Sequence, residues 1–255
     1  MALTLTPLSN IPLIRRDDPL ADILVRALRD SRVALQDGDI LVVAQKIVSK
    51  AEGRMTDLAT VTPGARAEKL AIQIDKDPRI VELILRESRS ILRSRPGTVI
   101  VEHKLGFVCA NAGIDHSNVS EDGSRSEEFV LLLPENPDRS ARQLRSQIES
   151  ATGKRLGVQI IDSHGRAWRN GTVGITIGIS GLPGIVDLRG RPDLFGYTLR
   201  ITQVGAADEL AAAASLVMGQ AAEGTPAVHV RGFPYELREG SLSELLRPPE
   251  EDLFR

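Results

Sequence analysis

Apolar residues recur along this chain at two spacings, and the switches between them outline its elements. Residues 21–33 place Ile23, Leu24, Ala27 and Leu28 on one helical face. Asp37-Gly38-Asp39 then turns the chain into the unbroken apolar run Ile40-Leu41-Val42-Val43-Ala44, which predicts a buried strand. A polar segment over 45–54 follows, its charges falling at the strand exit. Helical patterns return at 63–74 and 77–86, and short strand patterns at 90–93, 98–103, 106–110 and 127–133. Residues 136–150 read as an amphipathic helix with Pro137 in its first turn, where the missing N–H has no helical partner to lose. A strand over 156–161 leads to an apolar stretch over 173–186, in which Gly174, Gly178, Gly181 and Gly184 predict bulges or close backbone approach. An alanine-rich helix over 208–218 and a last strand over 227–230 complete the pattern. Helices and strands do not alternate strictly. The order predicts an α+β fold of mixed, largely antiparallel sheets with flanking helices, rather than a doubly wound sheet.

Two acidic, glycine-punctuated segments carry the candidate chemistry: Gly113-Ile114-Asp115-His116-Ser117-Asn118 and Ile161-Asp162-Ser163-His164-Gly165-Arg166-Ala167-Trp168-Arg169-Asn170-Gly171. Each follows a predicted strand and presents an aspartate and a hydroxyl at a turn, as oxygen ligands of a hard cation would be. Asp115 and Asp162 are therefore candidate ligands for Mg²⁺ or Mn²⁺; the alternative is that each caps a turn beside Gly or Ser. Ser163 and Asn118 could add a hydroxyl and an amide. His116 and His164 closely follow the aspartates but belong to no spaced His or Cys set, so they read as loop residues or as partners of the aspartates rather than zinc ligands. Lys46, Lys50, Arg166 and Arg169 are candidate anion holders, or else a solvated charged face. Trp168 would stack on a ring or plug the core beneath its loop. The loop from Gly219 to Pro226 would offer backbone N–H groups to phosphate, or simply end a helix. No P-loop and no Gly-x-Gly-x-x-Gly opening a βαβ unit is present.

Composition narrows the setting. The 255 residues are 42% hydrophobic, enough for one large domain or two intimately packed subdomains. The 32 basic and 34 acidic residues leave a formal net charge of -2, so no global field favours nucleic acid or an anionic membrane. No run approaches the ~20 apolar residues of a membrane span, and the first residues do not resemble a leader, so the expected location is cytoplasmic. The single cysteine, Cys109, lies in an apolar run and reads as a buried, inert thiol. The residues alone thus point to a divalent-metal, phosphate-handling enzyme.

A resemblance sharpens this reading. Residues 38–53, the stretch from Gly106 to Asn118, the stretch from Asp162 to Gly171 and the loop from Gly219 to Pro226 resemble, in order, the coenzyme F420-0:L-glutamate ligase family. The likeness runs from about Ile11 to Gly232. It implies a GTP-dependent amide ligase of coenzyme F420 biosynthesis that joins L-glutamate to F420-0 and then adds gamma-linked glutamates through an acyl phosphate. It further implies Mn²⁺ or Mg²⁺ with K⁺ as helper, and an intertwined homodimer. By matching position, Asp115 and Asp162 would hold the first metal, with Ser163 and Gln220 at a second. GTP contacts would fall on Ile11, Pro12, Leu13, Ile14, Gln45, Lys50 and Asn118, and on the loop Met218, Gly219, Gln220, Ala221, Ala222, Glu223, Gly224 and Thr225. Asp115, Asp162 and Lys50 would carry catalysis. His164 stands where the family often has Thr. The expected organisation is a single ligase domain over 1–255 without the nitroreductase-like domain fused in some relatives. A metal-dependent phosphohydrolase and a non-catalytic nucleotide- or deazaflavin-binding module stay open as alternatives.

Overall fold

A computed structural model describes residues 2–119 and 128–253. In chain order the elements are β1 (Thr4–Pro7), α1 (Leu20–Asp30), β2 (Ile40–Ala44), α2 (Gln45–Ala51), β3 (Met55–Asp57), α3 (Ala65–Ile74), α4 (Pro78–Glu87), β4 (Ser88–Arg95), β5 (Thr98–His103), β6 (Val108–Ala110) and β7 (Phe129–Leu131). There follow α5 (Pro137–Thr152), β8 (Gly157–Arg166), β9 (Arg169–Ser180), β10 (Val186–Asp187), β11 (Gln203–Val204), α6 (Ala206–Met218) and β12 (Ala227–Arg231). The architecture is α+β, as expected.

A five-stranded sheet in the order β1-β12-β2-β8-β9 forms the centre. Only β2 and β8 run parallel; the other neighbours are antiparallel. Strand β2 is buried on both faces, and its residues alternate between two cores: Leu41 and Val43 join the cluster that includes α1 and α5, while Ile40 and Val42 pack with Ala207, Leu210, Ala211 and Ala214 of α6. This is why its sequence is continuously apolar rather than alternating. Arg231 of β12 forks onto Asp39 just ahead of β2, Nε to Oδ1 at 2.9 Å and Nη2 to Oδ2 at 2.7 Å. Burial opposes ionisation of Asp39, but these donors hold its carboxyl below the ordinary range. No helix among the described residues is long and apolar enough to cross a membrane.

Three expectations change. Residues 45–51 form α2, which starts directly at the end of β2 and buries Gln45, Ile47, Val48, Ser49 and Lys50. Strand β8 extends through Arg166 because β9 pairs with it that far, so Asp162, Ser163 and His164 lie inside a strand rather than beyond its end. The strand expected over 127–133 is seen as β7, with Glu127 outside the described residues.

Candidate active site

The site opens where the parallel pair ends. The last β2–β8 partners are Ala44 and Ile161; beyond them β2 turns into α2 and β8 continues with no strand paired on that side among the described residues. A crevice at the carboxyl end of adjacent parallel strands is where open α/β sheets take ligands. Here it is a cleft of ≈ 560 Å³, lined by residues from the 11–14 segment, the start of α2, the turn after β6, β8 and the loop after α6.

Asp115 leaves a tight turn over Asn111–Gly113, where Asn111, Ala112 and Gly113 all have positive φ. Its backbone is latched to β7 by two bonds, Asp115 N–H to the Leu131 carbonyl at 3.0 Å and Leu131 N–H to the Asp115 carbonyl at 2.9 Å. Gln45, buried at the first turn of α2, donates its amide Nε2 to Asp115 Oδ2 at 2.7 Å. One turn later Ser49 donates its hydroxyl to Gln45 Oε1 at 2.8 Å. Lys46 Nζ lies 3.5 Å from Asp115 Oδ2 and donates to the carbonyl and hydroxyl oxygens of Ser117 at 2.9 Å each. Burial, then the neighbouring charge of Asp162, pushes the Asp115 carboxyl up to about 6, against the opposing pull of Lys46 and Gln45.

On β8, Asp162 Oδ2 meets His164 Nε2 at 2.9 Å. Ser163 leaves the other face of the strand and donates to Gln220 Oε1 at 2.7 Å, while Gln220 Nε2 donates to Ser215 Oγ of α6 at 2.8 Å. The loop from Gly219 to Pro226 is tied down by Asn118 Nδ2 to the Ala221 carbonyl at 3.1 Å, and by Thr225 Oγ1 to the Met218 carbonyl at 2.8 Å. Within it, Glu223 accepts the Ala221 N–H at 2.8 Å. Lys50 lines the cleft and is only 6% exposed.

The candidate cation ligands lining the cleft are two carboxylates, a hydroxyl and an amide carbonyl, all oxygen, with the His164 ring beside Asp162. That composition suits a hard cation that keeps water and phosphate oxygens in its remaining positions. Burial, and after it the neighbouring charge of Asp162, raises Asp115, and a bound cation would relieve both.

The structure therefore gathers Ile11 to Ile14, Gln45, Lys50, Asp115, Asn118, Asp162, Ser163 and residues 218–225 around one cleft. It does not bring Arg166, Trp168 or Arg169 to its lining: they form the tip of the β8–β9 hairpin, and Trp168 is 88% exposed, plugging no core. His116 is also exposed, outside the lining. Cys109 is buried, and burial followed by the Asp162 charge pushes its thiol up to about 12, so it is inert as expected. Ser49 and Ser215 were missed by the sequence reading. Ser49 stands four residues after Gln45, a spacing that signals contact only once α2 is known to be a helix.

Comparison with known proteins identifies the family. A family model described as F420-0:Gamma-glutamyl ligase matches residues 9–232. The chain is 46% identical over 257 residues to the coenzyme F420:L-glutamate ligase of Methanothermobacter thermautotrophicus, covering 100% of both. It is 46% identical to that of Methanopyrus kandleri, over 95% of this chain and 93% of the relative. To that of Archaeoglobus fulgidus it is 45% identical, over 100% of this chain and 97% of the relative. On the family-model match and the full-length sequence similarity together, the chain belongs to the F420-0:gamma-glutamyl ligase family of amide-forming ligases.

Proposed function

We propose that this protein joins L-glutamate to coenzyme F420-0 at the expense of GTP, and then extends the product through gamma linkages. The carrying observation is that Asp115 and Asp162, from segments far apart in sequence, converge with Lys50 and the 219–226 loop on one cleft. The relatives' printed names supply the substrates.

A carboxylate does not condense with an amine at neutral pH, so the F420-0 carboxylate first attacks the γ-phosphorus of GTP, giving an acyl phosphate and GDP. The glutamate amine then attacks the acyl carbon and phosphate leaves. Asp115 and Asp162 would hold a Mn²⁺ or Mg²⁺ ion, with Ser163 and Gln220 at a second and K⁺ as helper. Such a cation, when bound, offsets the charge on the transferring phosphoryl group. Lys50 steadies the polyphosphate as a compact positive charge. The 11–14 segment, Gln45, Asn118 and the loop over 218–225 hold the nucleotide, and this positioning supplies much of the rate.

The protein is proposed to work as a homodimer. Residues 186–204 form an arm between β9 and α6 that carries exposed Leu194, Phe195, Tyr197 and Ile201.

The deciding assay incubates purified protein with F420-0, GTP and Mn²⁺, with and without L-glutamate, and reads product mass and GDP release. Glutamate-dependent mass gain of one or more glutamyl units is expected. Equal GDP release in the absence of either acceptor would instead mark a phosphohydrolase.

A further inference from the structure

We infer that His164 is a positioning residue that aims Asp162 into the cleft through a hydrogen bond from its Nε2; this rests on the reading of Asp162 as a cation ligand. His164 follows Asp162 by two positions on β8, so both side chains leave the same face of the strand. Its Nε2 stands 2.9 Å from Asp162 Oδ2. The residue is 6% exposed, and its Nδ1 is buried with no hydrogen-bond partner among the described residues. A proton on Nε2 bonds the carboxylate, whereas one on Nδ1 meets no acceptor, so Nε2–H is the donor that faces Asp162 Oδ2.

The ring is also braced from behind. Phe107 packs against it with centroids 5.3 Å apart and planes at 56°. Phe107 in turn stacks on His103 at 5.1 Å and 8°, and His103 Nδ1 accepts the Leu105 N–H at 3.0 Å. Burial, then the nearby His164, holds the His103 imidazole down at about 4, so His103 is a neutral member of this stack. Asp162 Oδ2 is thus occupied by a fixed donor, leaving Oδ1 to face a ligand. The arrangement parallels the one around Asp115, whose Oδ2 is held by Gln45 with Ser49 behind it. Donors standing behind ligating groups in this way set ligand orientation and affinity.

The test is Mn²⁺ binding without nucleotide, read as free Mn²⁺ by electron paramagnetic resonance, for wild type, Asp162→Asn, His164→Gln and His164→Leu. His164→Leu should bind about 10- to 100-fold more weakly, the range found for loss of such supporting partners. His164→Gln, whose amide Nε2 can replace the ring donor, should stay near wild type. Binding by His164→Leu as tight as wild type, with Asp162→Asn defective, overturns the inference alone. Loss in His164→Gln equal to that in His164→Leu also overturns it, since shape rather than the donor would then matter. Undiminished binding by Asp162→Asn overturns the cation reading and this inference with it. Should His164→Leu fail to fold, ¹⁵N-resolved spectra of wild-type imidazoles decide: a proton on His164 Nε2 is expected, and a ring protonated at Nδ1 alone overturns the inference.

Discussion

Asp115 shows how function and stability pull apart at one residue. Its native carboxyl sits near 6 against an ordinary 3.8, because burial and Asp162 disfavour the charge. Below about pH 3.8 folded and unfolded states are both protonated there and the group is neutral to stability. Between 3.8 and 6 the unfolded chain gives up a proton that the native state keeps, so stability falls as pH rises; above 6 the full cost applies. Asp115→Asn removes the charge while keeping an oxygen for Gln45, and should stabilise the cation-free protein at pH 8 by about 1–3 kcal/mol, a few degrees in thermal midpoint. By pH 4 most of the gain should be gone. Thermal scans at both pH values check this, and a pH-independent difference would rule out the electrostatic account. Adding Mn²⁺ should reverse the order, raising wild type and leaving Asp115→Asn unmoved. Both aspartates were legible in the sequence because each stands with a hydroxyl and glycine after an apolar run. Gln45 was not legible as a partner of Asp115, which it reaches across 70 positions; His164 reads in the sequence as a loop residue or a partner of the aspartate, and it reaches Asp162 because β8 keeps its strand geometry beyond Ile161.

At the scale of elements, the β8–β9 hairpin is the beam that carries the site, and two glycines let helices close on it. A Cβ at Gly178 would stand 2.5 Å from Pro137 at the start of α5, and one at Gly174 2.5 Å from the Ala211 carbonyl of α6. Both contacts involve backbone that cannot swing aside. Gly178→Ala should therefore destabilise the fold by about 1–3 kcal/mol, the usual cost of overpacking, seen as a lower midpoint in chemical denaturation. Gly165 on the same hairpin has nothing within 4 Å of an added Cβ, and Gly165→Ala should leave the midpoint almost unchanged. If both substitutions behave alike, close approach is not what these glycines provide. Glycine spacing in the sequence anticipated close approach, but not which helix would make it. Long periodic elements such as α1, α5 and α6 were readable for the same reason: several turns of apolar spacing accumulate evidence of one face. Helix α2 spans seven residues, barely two turns, and β10 and β11 two residues each, too short for any period to register.

For the whole molecule, the arm between β9 and α6 is the part that a single chain leaves unexplained. It is an ordered hairpin, with Gly190 N–H on the Leu199 carbonyl at 2.8 Å, Leu199 N–H on the Arg191 carbonyl at 2.9 Å and Asp193 N–H on the Tyr197 carbonyl at 2.8 Å. Yet Leu194 and Phe195 at its end are each 90% exposed. Rigid backbone presenting large apolar side chains to water fits an interface already shaped for its partner. A second copy of the chain is the partner proposed here, and a formal net charge of -2 sets little repulsion against it. Each such side chain gains about 1.5–3 kcal/mol on burial, and a two-fold interface counts it twice. Leu194→Asp with Phe195→Asp should thus shift a dimer to monomer at micromolar concentration. Because neither side chain packs into its own protomer, the monomer should keep its fold. Light scattering should give twice 27.6 kDa for wild type and 27.6 kDa for the double variant. A wild-type monomer, or a double variant that stays dimeric, would remove the arm from the assembly.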